Sequence, residues 1–205
     1  PYDSPATLAR LEAEIEALDP RTVVLLGDSF HDSKAVSRMD GAQLARLERL
    51  AAGRDWVWLE GNHDLDALAG ALEQLPGRVV ETMALGGLFL IHEPQIEPAP
   101  GEVAGHLHPA ARVAAYGRGV RRPCFVTDGR RLIMPAFGAF TGGLDVRDAA
   151  VASLFATAPL AALLGRGKVH AGRLGDVAQD IVATRNAARE RHGWIMDTYL
   201  LRQPQ

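Results

Sequence analysis

A single cysteine, Cys124, is all the thiol chemistry that the 205-residue sequence contains, so an intramolecular disulfide framework is excluded and a reducing compartment is the natural setting. Long apolar runs are missing too. None approaches the roughly 20 residues that a helical membrane span requires, and no signal-peptide pattern opens the sequence. The reading is a soluble, cytoplasmic protein with no membrane partner. Neither sign of charge dominates, since the formal net charge is −3 with a pI near 6.2, and bulk electrostatics therefore does not announce a nucleic-acid binder. Internal repeats and low-complexity segments are also absent, which sets aside repeat arrays and biased linkers.

What is present is ordinary for one globular domain: 47% hydrophobic and 23% charged residues, enough for a sizeable core. The charge is unevenly placed. Arg112, Arg118, Arg121, Arg122, Arg130 and Arg131 crowd one stretch, opposed there only by Asp128. Such a cluster suits a phosphate backbone, and it equally suits a solvated face of a β-hairpin. Arg118, Arg121 and Arg122 are its candidate substrate contacts.

Residues 4–18 read as an amphipathic helix, with Ser4 as N-cap, Pro5 at the first helical position, and Leu8, Leu11, Ile15 and Leu18 on one face. Thr22 to Leu26 is a β-branched apolar run that suits a strand buried on both faces, and it delivers Gly27-Asp28. A second helix follows Asp40 as N-cap and ends at Gly53; the strand Trp56 to Leu59 then delivers Gly61-Asn62-His63-Asp64. This β-α-β-α order argues for parallel strands whose carboxyl ends gather the polar residues. A short helix is expected over roughly 65–74.

Beyond it the character changes. Short strands are predicted over 78–82, 88–92, 112–116, 124–127 and 131–134, punctuated by Gly86-Gly87 and by Asp128-Gly129, a strong hairpin signal. Residues 93–100 form a proline-rich loop, and 148–164 and 175–191 read as helical. The apolar face of the last helix suits either covering the domain or pairing in a homodimer. The expected fold class is α/β (α+β), two packed sheets with helices outside, in a domain over 1–168 followed by a C-terminal helical extension over 169–205.

Five positions or pairs carry chemistry: Asp28, Asn62, His92 at the end of a strand, and His106 and His108 in Gly105-His106-Leu107-His108, with His63 and Asp64 left over. Imidazole with carboxylate suits manganese, iron, zinc or cobalt rather than calcium, and a carboxylate can bridge two ions. Two such cations can generate hydroxide at neutral pH and clamp the oxygens of a phosphoryl group. Phosphoester hydrolysis is the reaction to expect.

Gly-Asp, then Gly-Asn-His-Asp, then a strand-end histidine, then Gly-His-x-His, each after an apolar run, resembles the calcineurin-like metallophosphoesterases over roughly residues 22–108. The resemblance implies a four-layer αββα sandwich of two mixed sheets and a dinuclear centre of divalent metals, manganese first, with iron or zinc as alternatives. In it Asp28 bridges the ions, Asn62, His92 and His106 complete one, and His108 serves the other. His63 lies beside the scissile phosphate as the leaving-group acid and Asp64 orients it.

Further segments, Gly27-Asp28-Ser29-Phe30-His31-Asp32, His92-Glu93-Pro94 and Pro135-Ala136-Phe137-Gly138-Ala139-Phe140-Thr141-Gly142-Gly143-Leu144-Asp145, are similar to the bacterial ligase-associated DNA-damage-response phosphoesterases, to about residue 168. That likeness implies a manganese-dependent phosphodiesterase or endonuclease in DNA repair, with DNA or another phosphodiester as substrate, DNA ligase, helicase and exonuclease as repair partners, and His31 as a substrate contact.

The sequence departs from the pattern in one respect. The family's opening Asp-x-His block occurs nowhere in it, and the expectation is that this first strand lies upstream of Pro1. A second account places the C-terminal run Trp194 to Tyr199 there, with Asp197 supplying the carboxylate, although tyrosine is a poor substitute for a histidine ligand. Two other functions fit the same residues: a nucleotide or lipid-pyrophosphate hydrolase, and a non-catalytic DNA- or partner-binding module with an incomplete metal site.

Overall fold

A computed structural model describes residues 3–30, 36–62, 74–115, 118–139, 141–165, 167–174 and 198–201, with backbone alone at 3, 4, 113–115, 118 and 198–201. Helix α1 (Asp3–Leu18) buries Leu8, Leu11 and Ile15, the expected stripe. It begins at Asp3, so Ser4 and Pro5 sit inside the first turn rather than capping it. Proline is tolerated there because first-turn N–H groups have no intrahelical acceptor. Asp19, at φ 42°, ends the helix in the left-handed region, its N–H bonded to the Ile15 carbonyl.

Strand β1 (Thr22–Leu25) lies parallel to β2 (Asp55–Leu59), and β2 to β3 (Arg78–Val80). The crossover between β1 and β2 contains α2 (Gly41–Ala51), opened by a capping box in which Asp40 and Gln43 exchange hydrogen bonds of 2.8 and 3.1 Å. Strand alternation then assigns each side chain to a layer. Val23, Trp56 and Trp58 pack under α1 and α2, whereas Val24, Leu26, Val57 and Leu59 face the second sheet and meet Leu90, Val103 and Met134. Both faces of β1 and β2 are therefore buried, as their unbroken apolar runs require.

The second sheet comprises β4 (Thr82–Leu85), β5 (Leu88–Ile91), β6 (Glu102–Ala104), β8 (Arg118–Thr127), β9 (Arg131–Ile133), β10 (Leu160–Leu164) and β11 (Val169–Arg173), with β7 (Ala110–Ala115) paired to β8. Its order is β11-β10-β8-β9-β6-β5-β4, parallel through β5, β6 and β9 and antiparallel elsewhere. Its outer face carries Ala111, Cys124, Val126, Ile133 and Leu163 against Val146, Val151 and Phe155, which lie on and around the one-turn helix α3 (Ala149–Ala152). The layers are thus helices, sheet, sheet and a thin outer cover, the two-sheet sandwich expected. No described helix is long and apolar enough to cross a membrane.

Two expectations need correction. Residues 148–164 are not one helix: α3 stops after 152, and 160–164 form β10, because Pro159 interrupts helical hydrogen bonding and β8 offers a pairing edge. Residues 169–173 and 198–201 are likewise strands rather than parts of a helical extension. β11 closes an antiparallel hairpin with β10 through a turn bearing Gly165 and Gly167, and β12 (Thr198–Leu201) lies antiparallel beside β1, Thr198 opposite Leu25. The helices expected over 65–74 and 175–191 fall on residues outside those described, except Gln74, which lies in a turn. Asp197 is outside them too.

Candidate metal centre

β1, β2, β5 and β6 all end at the same rim of the sandwich. The rim is tight because Gly27 lets it be: at φ 86° it takes a conformation a side chain resists, and a Cβ there would strike the His92 ring and come within 2.9 Å of the Gly61 backbone. Asp28 follows β1, Asn62 follows β2 as an exposed residue, His92 follows β5, and His106 and His108 follow β6. Ligand atoms of Asp28, His92 and His106 all lie within 4.8 Å of one another.

His92 is the buried member of this group. Its Nδ1–H donates to the Leu26 carbonyl at 2.6 Å, which leaves the Nε2 lone pair aimed into the cluster. There Nε2 stands 3.4 Å from Asp28 Oδ2 and 3.2 Å from His106 Nδ1. Acceptor atoms at such separations need a proton or a cation among them. Ligands bound at about 2.1 Å to one ion with angles near 90–110° would be about 3.0–3.4 Å apart. A ring whose other nitrogen is tied to a carbonyl is also how metal-ligating histidines are usually held, so the donor set fits a divalent metal.

Backbone geometry marks the same residues. Among the described non-glycine residues, Asp28 (φ 49°), His106 (φ 61°) and His108 (φ 47°) adopt left-handed conformations together with Asp19. For residues with a Cβ this conformation is disfavoured, and it recurs where side chains must be aimed rather than packed. The 105–110 segment is pinned from outside: Ala110 N–H donates to the Leu144 carbonyl at 2.8 Å, Leu144 N–H to the Leu107 carbonyl at 3.2 Å, and Cys124 N–H to the Pro109 carbonyl at 3.0 Å. Burial lowers the pKa of His108, opposed by the Asp28 charge and reinforced by His106 and His92. The neutral imidazole, the form in which histidine binds a cation, is thereby favoured.

Cys124 lies fully buried in β8, and burial pushes its thiol up to about 12, which suits a core residue and not a nucleophile. His31, His63 and Asp64 lie outside the described residues. The three candidate arginines occupy different positions along β8. Arg121 and Pro123, two apart on β8, line a cleft beside His108, while Arg122 alternates to the other face. Arg118 holds the position opposite Ala115 at the hairpin's far end. Sequence reasoning assigned nothing to Arg10, which lines the same cleft from α1. The Pro135-to-Asp145 segment was the available signal, since its backbone receives both Arg10 and Arg121.

A solved structure, the crystal structure of Pseudomonas putida nuclease MPE, superposes on this chain with a TM-score of 0.63 and 35% sequence identity over 81% of the chain and 77% of the nuclease. The chain belongs to the family of that nuclease. No protein-family model matches it, and no curated protein does. Within a nuclease family, a carboxylate and two imidazoles converging at the strand ends are a candidate group for divalent metal use.

Proposed function

We propose that the protein is a metal-dependent phosphodiesterase that cleaves nucleic acid internally, a calcineurin-like metallophosphoesterase of the ligase-associated repair type. The convergence of Asp28, His92 and His106 at the sheet rim, in a chain of the nuclease family, is the observation that carries this reading. Asp28, Asn62, His92 and His106 would hold one divalent ion, manganese in the first instance, and Asp28 with His108 would reach a second. When bound, the ions supply charge neutralisation and water activation for in-line displacement at phosphorus.

The chain's own residues do the rest. The Leu26 carbonyl fixes the His92 tautomer so that Nε2 faces inward, and left-handed backbone at Asp28 and His106 accompanies the approach of their ligand atoms to that nitrogen. His63, following Asn62, would give a proton to the departing oxygen, with Asp64 orienting the ring. Such a role needs an imidazole within hydrogen-bond reach of the substrate, and position 63 follows directly on the strand end that carries Asn62.

The test is turnover of bis-p-nitrophenyl phosphate and of single-stranded or nicked DNA by the manganese-loaded protein, with metal content measured on the same sample. The expected result is hydrolysis of both substrates, and loss of most turnover in His63→Ala with the metal retained. Absence of turnover from a manganese-loaded sample would overturn the proposal.

A further inference from the structure

Beside His108 the surface opens into a cleft of about 260 Å³ walled by α1, the 136–143 segment and β8. Arg10 and Arg121 stand among its lining residues with His108, Thr141, Gly142 and Gly143, and among the described residues that line it there is no carboxylate. Both guanidiniums are positioned by the wall itself. Arg10 Nη1 donates to the Phe137 carbonyl at 3.0 Å, and its Cζ sits 4.8 Å from the centroid of the Phe137 ring. Arg121 Nη2 donates to the Gly143 carbonyl. Gly143 in turn lies so close to His108 that a Cβ would strike the His108 carbonyl oxygen. The cleft is therefore bordered by His108, two residues on from the His106 of the candidate metal group.

A further observation points to an anion. Arg112 on β7 is the direct cross-strand partner of Arg121 on β8, and like charges facing each other across an antiparallel pair are destabilising. Asp145 acts on Arg121 and Glu14 on Arg10 from outside the lining, but among the described lining residues only the guanidiniums of Arg10 and Arg121 carry fixed charge, and guanidinium matches phosphate in a planar, two-point geometry. The volume is near the lower end for ligand pockets, about 300–1,000 Å³. It has room for a phosphate with its sugar.

We propose that this cleft is a second phosphate subsite, holding the phosphate next to the scissile one along a nucleic-acid strand, so that the site selects polynucleotide over small phosphodiesters. The inference rests on the phosphodiesterase reading above. Arg10 and Arg121 are its specificity-determining contacts, and Arg112 adds to the field around them.

Two measurements test it. A fluorescein-labelled single-stranded oligonucleotide is titrated with metal-free protein across a salt series, comparing the unaltered chain with Arg10→Ala, Arg121→Ala and Arg10→Lys. Each alanine variant should lower the slope of log affinity against log salt by roughly 0.7, the single-strand value for one lost phosphate contact, while Arg10→Lys keeps the slope. In manganese the ratio of kcat/KM for the oligonucleotide to that for bis-p-nitrophenyl phosphate should fall at least about tenfold in the alanine variants, the equivalent of one charge-assisted hydrogen bond. Unchanged slopes and an unchanged ratio would overturn the subsite while leaving the phosphodiesterase reading intact. No hydrolysis by the unaltered chain would sink that reading, and the metal-free titration would still judge the subsite. Should an alanine variant fail to fold, Arg10→Lys decides through the ratio, which must drop because lysine lacks the planar fork.

Discussion

The two ends of the sandwich are built on opposite terms. At the amino ends of the strands, carboxylates face arginines: Asp55 takes two bonds from Arg78 at 3.0 and 3.1 Å near the surface, and Glu102 lies 3.3 Å from Arg131 with both side chains 0% exposed. At the carboxyl ends the Asp28 carboxylate lies 3.4 Å from the His92 ring, which lies 3.2 Å from that of His106, and the backbone is left-handed at Asp28, His106 and His108. Charge is neutralised within the fold at one end and directed at something outside it at the other. The amino end therefore answers for stability and, on the function proposed above, the carboxyl end for chemistry.

Asp28→Asn should give the largest functional effect. Asparagine keeps the shape and tolerates the left-handed φ of 49° as well as aspartate does, but it removes the anionic ligand. Turnover of bis-p-nitrophenyl phosphate should fall by at least about a hundredfold, since even outer partners of a metal ligand cost about 10–100-fold. Urea stability of the metal-free protein should stay within about 0.5 kcal/mol. A variant that keeps both its manganese and its rate would break the comparison from the functional side.

Arg131→Met attacks the other end. Glu102 would be left buried without its counter-ion, and breaking such a pair costs about 3–5 kcal/mol. Arg131 also ties down the loop after His92, donating to the Gln95 carbonyl at 2.5 Å. Urea unfolding should show the loss, while the double variant Arg131→Met, Glu102→Leu should recover most of it, because two apolar side chains can replace a buried pair at little net cost. If the double variant were as unstable as the single one, the pair would be worth more than a hydrophobic substitute.

The same division explains what could be read from residue order. β1 and β2 were legible because both faces are buried and their runs Thr22 to Leu26 and Trp56 to Leu59 are unbroken, and the candidate ligands Asp28 and Asn62 follow at the strand ends. The 148–164 stretch reads as a helix because Ala149 to Leu164 is mostly apolar, with only Ser153 and Thr157 polar, and periodicity alone does not separate a helix from a strand in such a run. Pairing with β8, a contact across more than thirty positions, decided it. Arg10 was invisible for a related reason: its neighbour Phe137 stands 127 positions away, and nothing local to an amphipathic helix marks one exposed arginine as the wall of a cleft.

The subtlest test concerns what Glu102 contributes as pH changes. Burial raises its carboxyl pKa above the ordinary value, and the Arg131 charge opposes that without cancelling it. An acid whose folded pKa lies above its unfolded one binds more protons in the folded state, so its contribution is full below the unfolded value, about 4.3, and is lost as pH rises through the folded one. Glu102→Gln removes this titration. The stability of the unaltered chain relative to Glu102→Gln should therefore decline as pH rises from the acid side, by an amount smaller than the loss in Arg131→Met. A relative stability that instead climbed with pH would mean that attraction to Arg131 outweighs desolvation. The closed end would then be held by the charges themselves, and its contrast with the rim would lie only in which partner each carboxylate has.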